Sequence, residues 1–378
     1  MSNQNEHVPH EVIRREARIA DPAPGELHFG IGTFAFQPTG PDGNPVDGTQ
    51  VVRDVVEEAV AAERSGLDSF GIAEHYRPGM MDTAAPVMLG AIAGRTSTLK
   101  LGSAVTVLST QDPVRVYNEY ATLDAVSGGR AQLIVGRGSA IESFPLFGYN
   151  LSDYEELFEE KLELLMMLLR EQPVTWSGRF RPPLVDQLLE PPVKPGSLPV
   201  WVGVGGSPGS VIRAARFGLP MMLGVIGGSI ERFAPLVDLY RQSLEVLEQQ
   251  AQPVGLHVHG YIADTDEEAV ETFWPVWEAM MNAEAPKRGW APFRRERFDA
   301  EVHAGSIVVG SPETVAQRVA HGMRVAGASR FDFVAAASRM PHADKVESIE
   351  RFGREVVPRV KELLAESPAA DGRDAPAR

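Results

Sequence analysis

Two serines, an arginine and a histidine are the side chains best placed by type and spacing to do chemistry. Ser207 and Ser210 stand three apart in GVGGSPGS, directly after the apolar run Val200–Val204. Gly205 and Gly206 break that run, and residues 211–217 resume at helical spacing. A glycine turn at a helix start offers bare N–H groups, partial positive charge and here two hydroxyls, which suits a phosphate. The same residues also read as an ordinary βα turn with Ser207 as N-cap. Arg137 sits between Gly136 and Gly138 after another apolar run, so it could close on the same anion, or pair with an acid such as Glu142. His75, in Glu74-His75-Tyr76, follows an early apolar run and could move protons near neutral pH, or be a hydrogen-bonded structural histidine. His257 and His259 lie two apart, on one face of a strand, and could bind a metal, but no convincing third ligand follows. They read as packing or pocket-lining groups, and His28 is equally ambiguous.

The elements that must position these residues alternate. Strand-like runs at 27–34, 69–73, 99–107, 131–135, 200–204, 220–223, 256–263 and 330–335 are separated by amphipathic helical stretches at 51–65, 83–95, 112–127, 152–170, 211–217, 230–250 and 311–326, with a last helix at 344–364. Asp112 with Pro113 opens one helix, and Ser152 with Glu155 forms a capping box for the next. Eight such units predict a parallel sheet closed into a (β/α)8 barrel, a TIM barrel; an open doubly wound sheet is the alternative. Residues 172–198 and the stretch 282–305, which follows a helix at 266–281, do not fit the repeat. They are expected as excursions at the C-terminal face of one barrel domain spanning 26–366, with flexible segments at 1–25 and 367–378.

The 378 residues are 43% hydrophobic and 23% charged, a globular balance able to fill a large core. The absence of cysteine excludes thiolate nucleophiles and disulfides, and a net charge of −15 argues against nucleic acid as partner. No apolar signal segment opens the chain and no run is long enough to span a bilayer, so a cytoplasmic location is expected. GVGGSPG is not the dinucleotide fingerprint, because Pro208 takes the third glycine position. GxxxxGK[ST], HExxH and GxSxG are also missing.

Several stretches together resemble the luciferase-like flavin monooxygenase family: DSFGIAEHY, LGSAVTVLSTQDPVRVYNEYATLDAVSGGRAQLIVGRG, PVWVGVGGSPGSVIRAARFGLPMML, VVGSPETVAQRV and ESIERFGREVVPRV, in that order. The resemblance implies FMN at the C-terminal face of a (β/α)8 barrel. Arg137, Gly206, Ser207 and Ser210 would hold its phosphate. Ser103, Ala104 and Val105 would lie beside the ring, with a cis Ala104–Val105 peptide, and Gly136 and Val204 would line it. His75 falls on the first histidine of the family's EHH motif, while Tyr76 replaces the second. The implied activity is an FMN-dependent oxidoreductase, a monooxygenase using reduced flavin and O2 on a small organic substrate, with a separate NAD(P)H-flavin reductase and a homodimeric state. Hydride transfer with the deazaflavin F420 is the alternative. A metal-dependent hydrolase on the same barrel and a non-catalytic flavin-binding protein stand behind it.

Overall fold

The computed structural model describes residues 22, 25–40, 44–138, 140–170, 172–194, 196–335 and 340–366. The two expected flexible tails lie almost wholly outside them. Eight parallel strands close a barrel: β1 (His28–Thr33), β2 (Ser69–Ile72), β3 (Lys100–Ser103), β4 (Ala131–Gly136), β5 (Val200–Val204), β6 (Met221–Val225), β7 (Val254–Ile262) and β8 (Arg330–Val334). Each pairs with the next in chain order, and β8 returns to β1 with His28 opposite Arg330. Strands buried on both faces read as unbroken apolar runs, which is why their positions are visible in the sequence.

The expected strand at 99–107 is interrupted. After Ser103 the Ala104–Val105 peptide is cis, and Thr106–Val107 then pairs with Val135 and Gly136 of β4. The capping box expected at Ser152 does not form. Asn150 accepts from Ser152 N at 3.0 Å, a short 3-10 turn follows, and the Tyr154–Leu168 helix starts two residues late. Glu155 is thereby left available to arginines.

The inside of the barrel is layered. At its N-terminal end Arg330 is bidentate to Asp332 at 2.9 Å and reaches Gln132 Oε1 at 2.8 Å. His28 Nε2 lies 2.8 Å from Ser69 Oγ in the same layer, its pKa driven down by burial first and then by Arg330. His28 is therefore structural. Above it Trp201, fully buried, packs with Ile134, Met222 and Val105, and the Arg330 guanidinium lies over its ring at 5.0 Å.

The two expected excursions differ in kind. Residues 172–198 join the end of the Tyr154–Leu168 helix to the start of β5, an αβ connection that begins and ends at the N-terminal side. They form an antiparallel hairpin, Val174–Trp176 with Leu184–Gln187, whose turn ties back to helix starts through Arg181–Asp112 and Arg179–Asp153. The hairpin lies outside the barrel helices, and its turn reaches the helix starts at the C-terminal rim of the barrel. Residues 282–305 belong to that face too, but the segment begins earlier. One helix runs Asp266–Arg288, passing through Pro275 and Pro286 to Gly289 at φ 66°, and Arg295–Ala304 follows. These helices bury a core of their own around Tyr261, Phe273, Trp277, Phe298 and Val302, separate from the main one.

Candidate functional site

The turn after β5 and the end of β4 meet as their spacing suggested. Ser207 caps the Pro208–Arg216 helix, accepting from Ser210 N, and Gly206 takes φ 110°, a conformation that favours glycine. The two hydroxyls are 2.8 Å apart. Arg137 donates through Nη2 to Ser210 Oγ at 2.7 Å and to Ser207 Oγ at 3.3 Å. Glu142, the alternative partner for Arg137, is instead 2.6 Å from Arg77 Nε. The acid that Arg137 does meet is Glu155, which also accepts from Arg213 at 2.5 Å. Tyr154 lies under the Arg137 guanidinium at 4.8 Å and donates to Gly138 O at 2.7 Å. Two hydroxyls, the Arg137 guanidinium and a helix N-terminus thus converge at the barrel rim.

Inward from that point a cavity of about 240 Å³ runs across the top of the barrel, lined by Ala104, Val105, Gly136, Val204 and Met222, with Arg137 and Ser210 at its outer end. Two glycines make room for Val105 in its wall. A Cβ on Gly136 would lie 2.7 Å from Val105 Cγ2, and one on Gly203 2.8 Å from Val105 Cγ1. Ser103 does not line this cavity. Its hydroxyl donates to Ile134 O and accepts from Ile134 N, stitching β3 to β4. Gly206 and Ser207 stand at the turn rather than in the wall.

His75 lies at the inner end. Its Nδ1 is 2.8 Å from Asp82 Oδ2, and its backbone N donates to Asp82 Oδ1 at 3.2 Å. Asp82 is fully buried, so the carboxylate fixes the ring and leaves Nε2 as the nitrogen for other work. Glu74, the neighbour suspected of holding His75, is engaged elsewhere. It accepts from Val107 N at 2.9 Å, from Gln111 at 2.5 Å and from Tyr76 at 2.5 Å, and burial with that carboxylate raises the Tyr76 phenol. Tyr76 therefore locks a loop.

A second cavity, of about 820 Å³, opens beside the first and shares Phe34, His75, Gly224, Ile226 and His257 with it. His257 packs against Gly32, where a Cβ would come within 2.4 Å of its ring, and its buried Nε2 has no hydrogen-bond partner. Burial holds its pKa near 4, with Arg330 adding to the effect and Asp332 opposing it. His259 meets Phe34 and Trp277 edge-on at 5.2 and 5.3 Å. Among the described residues no three His, Cys, Asp or Glu side chains could hold a metal together. No described helix is long and apolar enough to cross a membrane.

Asp82, Glu155, Tyr154 and Arg213 were not singled out for these roles from sequence. Their partners are 7 to 58 positions away, so no local motif marks them.

Comparison with known proteins places this geometry. The chain spans about half the length of the first curated relatives it matches, among them the uncharacterised protein y4vJ of Sinorhizobium fredii, 31% identical over 186 residues covering 48% of this chain and 52% of that one. An F420-dependent glucose-6-phosphate dehydrogenase of Segniliparus rotundus is 27% identical over 341 residues, covering 82% of this chain and 95% of that one. Monooxygenase RslO1 from Streptomyces bottropensis shares the fold at a TM-score of 0.75 and 22% identity, covering 88% of this chain and 99% of that one. The oxygenating constituent of 3,6-diketocamphane monooxygenase from Pseudomonas putida, solved in complex with FMN, does so at 0.69 and 18%, covering 88% and 98%. The model of the luciferase-like monooxygenases matches residues 27–330, and the chain belongs to that family of oxidoreductases.

Proposed function

We propose that the protein is an FMN-dependent monooxygenase, binding the flavin phosphate at Arg137, Ser207 and Ser210 and its ring in the cavity beside Val105. The observation that carries this reading is the convergence of two hydroxyls and a guanidinium within 3.3 Å at a helix N-terminus, at the outer end of an apolar slot. That donor set fits a phosphate on a planar ring. Bound reduced flavin would supply the electrons that activate O2. This chain's residues would anchor it, keep water off the ring with Val105, Ile134 and Met222, and handle a proton at His75 Nε2, with Asp82 holding the tautomer. The reduced flavin would come from a separate NAD(P)H-flavin reductase, in keeping with the luciferase-like monooxygenase family. A cytoplasmic homodimer completes the proposal.

F420 is the second reading, favoured by the name of the Segniliparus relative. Its phosphate is a diester continuing into a tail of glutamates. Around this cradle Arg137 and Arg213 meet Glu155, Arg216 meets Glu159, and Arg179 meets Asp153 and Glu156. Among the described residues there, four arginines face four acids, a balance that favours the single phosphate of FMN over a longer polyanionic tail.

Titration with FMN, riboflavin and F420, followed by absorbance and flavin fluorescence, tests this. FMN should bind tightest. Arg137→Ala should weaken FMN roughly tenfold to a hundredfold, the worth of a charged hydrogen bond, and leave riboflavin unchanged. F420 binding more tightly than FMN would move the cofactor to the second reading, and equal losses for FMN and riboflavin would remove the phosphate contact.

A further inference from the structure

Glycine inside a β-strand weakens it, because it gives up both a side chain to pack and the stiffness that a Cβ imposes. Each glycine in a barrel wall therefore calls for a reason. Contact supplies that reason at every barrel-strand glycine but one: a Cβ placed on any of the others would stand 2.1–3.0 Å from a neighbouring atom. Gly224 in β6 is the exception. Among the described residues a Cβ there meets Val204 O alone, at 3.8 Å, an ordinary contact. Its φ lies outside the left-handed region, so the backbone does not require glycine either.

What the missing side chain leaves is a passage. Side chains alternate along a strand. Leu223 and Val225 belong to the main core, whereas Met222 packs with Trp201 and Ile134 inside the barrel. Gly224, two positions beyond Met222, shares that inward face nearer the C-terminal end and stands in register with His257 of β7. It lines both the slot and the larger cavity. The other residues common to the two are bulky. Phe34 meets the rings of His75 and His257 at 5.3 and 6.0 Å, and Ile226 follows the end of β6. The opening between the cavities is thus the volume that a side chain at position 224 would enter.

We propose that Gly224 is a specificity-determining position: its missing side chain is the aperture through which a substrate in the larger cavity touches a flavin ring in the slot. Residues larger than alanine there would part the two. The proposal rests on the oxygenase reading for the identity of the ring, while the aperture itself belongs to the flavin-free protein as well. Arg137 and Ser210, the proposed phosphate contacts, occupy the outer end of the slot. The reacting end of the substrate therefore arrives from the other side, past Phe34 and Gly224.

Two neutral probes that brighten in apolar surroundings test this. N-phenyl-1-naphthylamine is compact enough for the larger cavity alone, whereas the rod 1,6-diphenylhexatriene has to reach through into the slot. In flavin-free protein, Gly224→Leu should weaken the rod about tenfold and leave the amine within about twofold. Saturating FMN should displace the rod and spare the amine. The amine is electron-rich and quenches flavin emission on contact, so it should quench FMN bound to the unaltered protein, and Gly224→Val should remove most of that quench at equal amine occupancy. Gly224→Ala should hold FMN within about threefold of the parent. Its urea midpoint should equal or exceed the parent's, because this backbone accepts alanine. Should Gly224→Leu not fold, Gly224→Val gives the same order, with the rod weakened and the amine spared. A rod indifferent to the size of residue 224 would overturn the proposal. So would an amine that fails to bind or to quench bound FMN in the unaltered protein, or a Gly224→Ala protein that is destabilised or loses FMN about tenfold. FMN binding with a rod indifferent to residue 224 defeats this proposal alone. A rod lost in Gly224→Leu from a protein that binds no FMN defeats the oxygenase reading alone.

Discussion

Replacing Gly136 by alanine tests how Val105 is seated in the wall of the cavity proposed for the flavin ring. The added Cβ would stand 2.7 Å from Val105 Cγ2 and 3.3 Å from its Cβ. Ordinary carbon contacts lie near 3.5–4.0 Å, so the overlap is about 1 Å. Valine is stiff at χ1 and cannot rotate its way out, and on the other side its Cγ1 already fills the space left by Gly203. The relief available is a shift of Val105 into the cavity it lines. Overpacking of this size costs about 1–3 kcal/mol, measurable by urea denaturation of the purified protein. The same shift intrudes where the ring would lie, so FMN and riboflavin should weaken together, by roughly fivefold to thirtyfold for about 1–2 kcal/mol. That pattern is the opposite of the phosphate-selective loss expected for Arg137→Ala. Adding Val105→Ala should restore most of the stability lost to Gly136→Ala, a coupling visible in a double-mutant cycle. A Gly136→Ala protein as stable as the parent, or one whose loss Val105→Ala leaves untouched, would refute the account of the slot.

Two further outcomes follow from charges near the site. Glu155→Gln removes the acid that Arg137 and Arg213 share, so FMN should bind about fivefold more tightly, the effect of about 1 kcal/mol from one exposed charge near a dianion, and should do so less at high salt while riboflavin stays unchanged; weaker FMN binding would instead make Glu155 a positioning residue for Arg137. His257 is held near 4 by burial, against 6.5 for a free imidazole, so the unfolded chain takes up a proton between those values that the folded chain refuses. Its contribution leaves stability intact above pH 6.5 and removes on the order of 2–3 kcal/mol as pH falls to 4. His257→Gln should flatten that part of the pH–stability curve, and an unchanged slope would assign it to other groups.

The barrel was legible because strands buried on both faces are continuous apolar runs punctuated by helix caps, a signal that survives in one dimension. The meeting of Arg137 with Ser207 and Ser210 was legible for a related reason: Gly206, Ser207 and Ser210 are neighbours in the chain, and Arg137 ends the adjacent strand. What failed to show were pairings across the chain. Glu155 looked like half of a capping box because the cue S-x-x-E is local, whereas its folded partners, Arg137 and Arg213, come from two other elements. Asp82 gave no hint that it would orient His75, since it lies seven positions further along a loop. The helix expected at 266–281 runs on to Arg288, past Pro286, and the chain's local pattern did not show that extension. Ser103 was placed beside the ring, but its hydroxyl closes the seam between β3 and β4, a use that only strand register reveals.

The helical insertion after β7 packs Phe273, Trp277 and Phe298 into an apolar cluster that meets the barrel at Tyr261 and is separate from the main core. The wall facing the cofactor slot is set by barrel strands and their glycines, while much of the wall of the larger cavity hangs from this separate body. Changes within the insertion can therefore reshape what the protein accepts without disturbing how it holds its cofactor. Selection can treat the two as independent traits, and a chimera exchanging only residues 266–304 would transplant one while keeping the other.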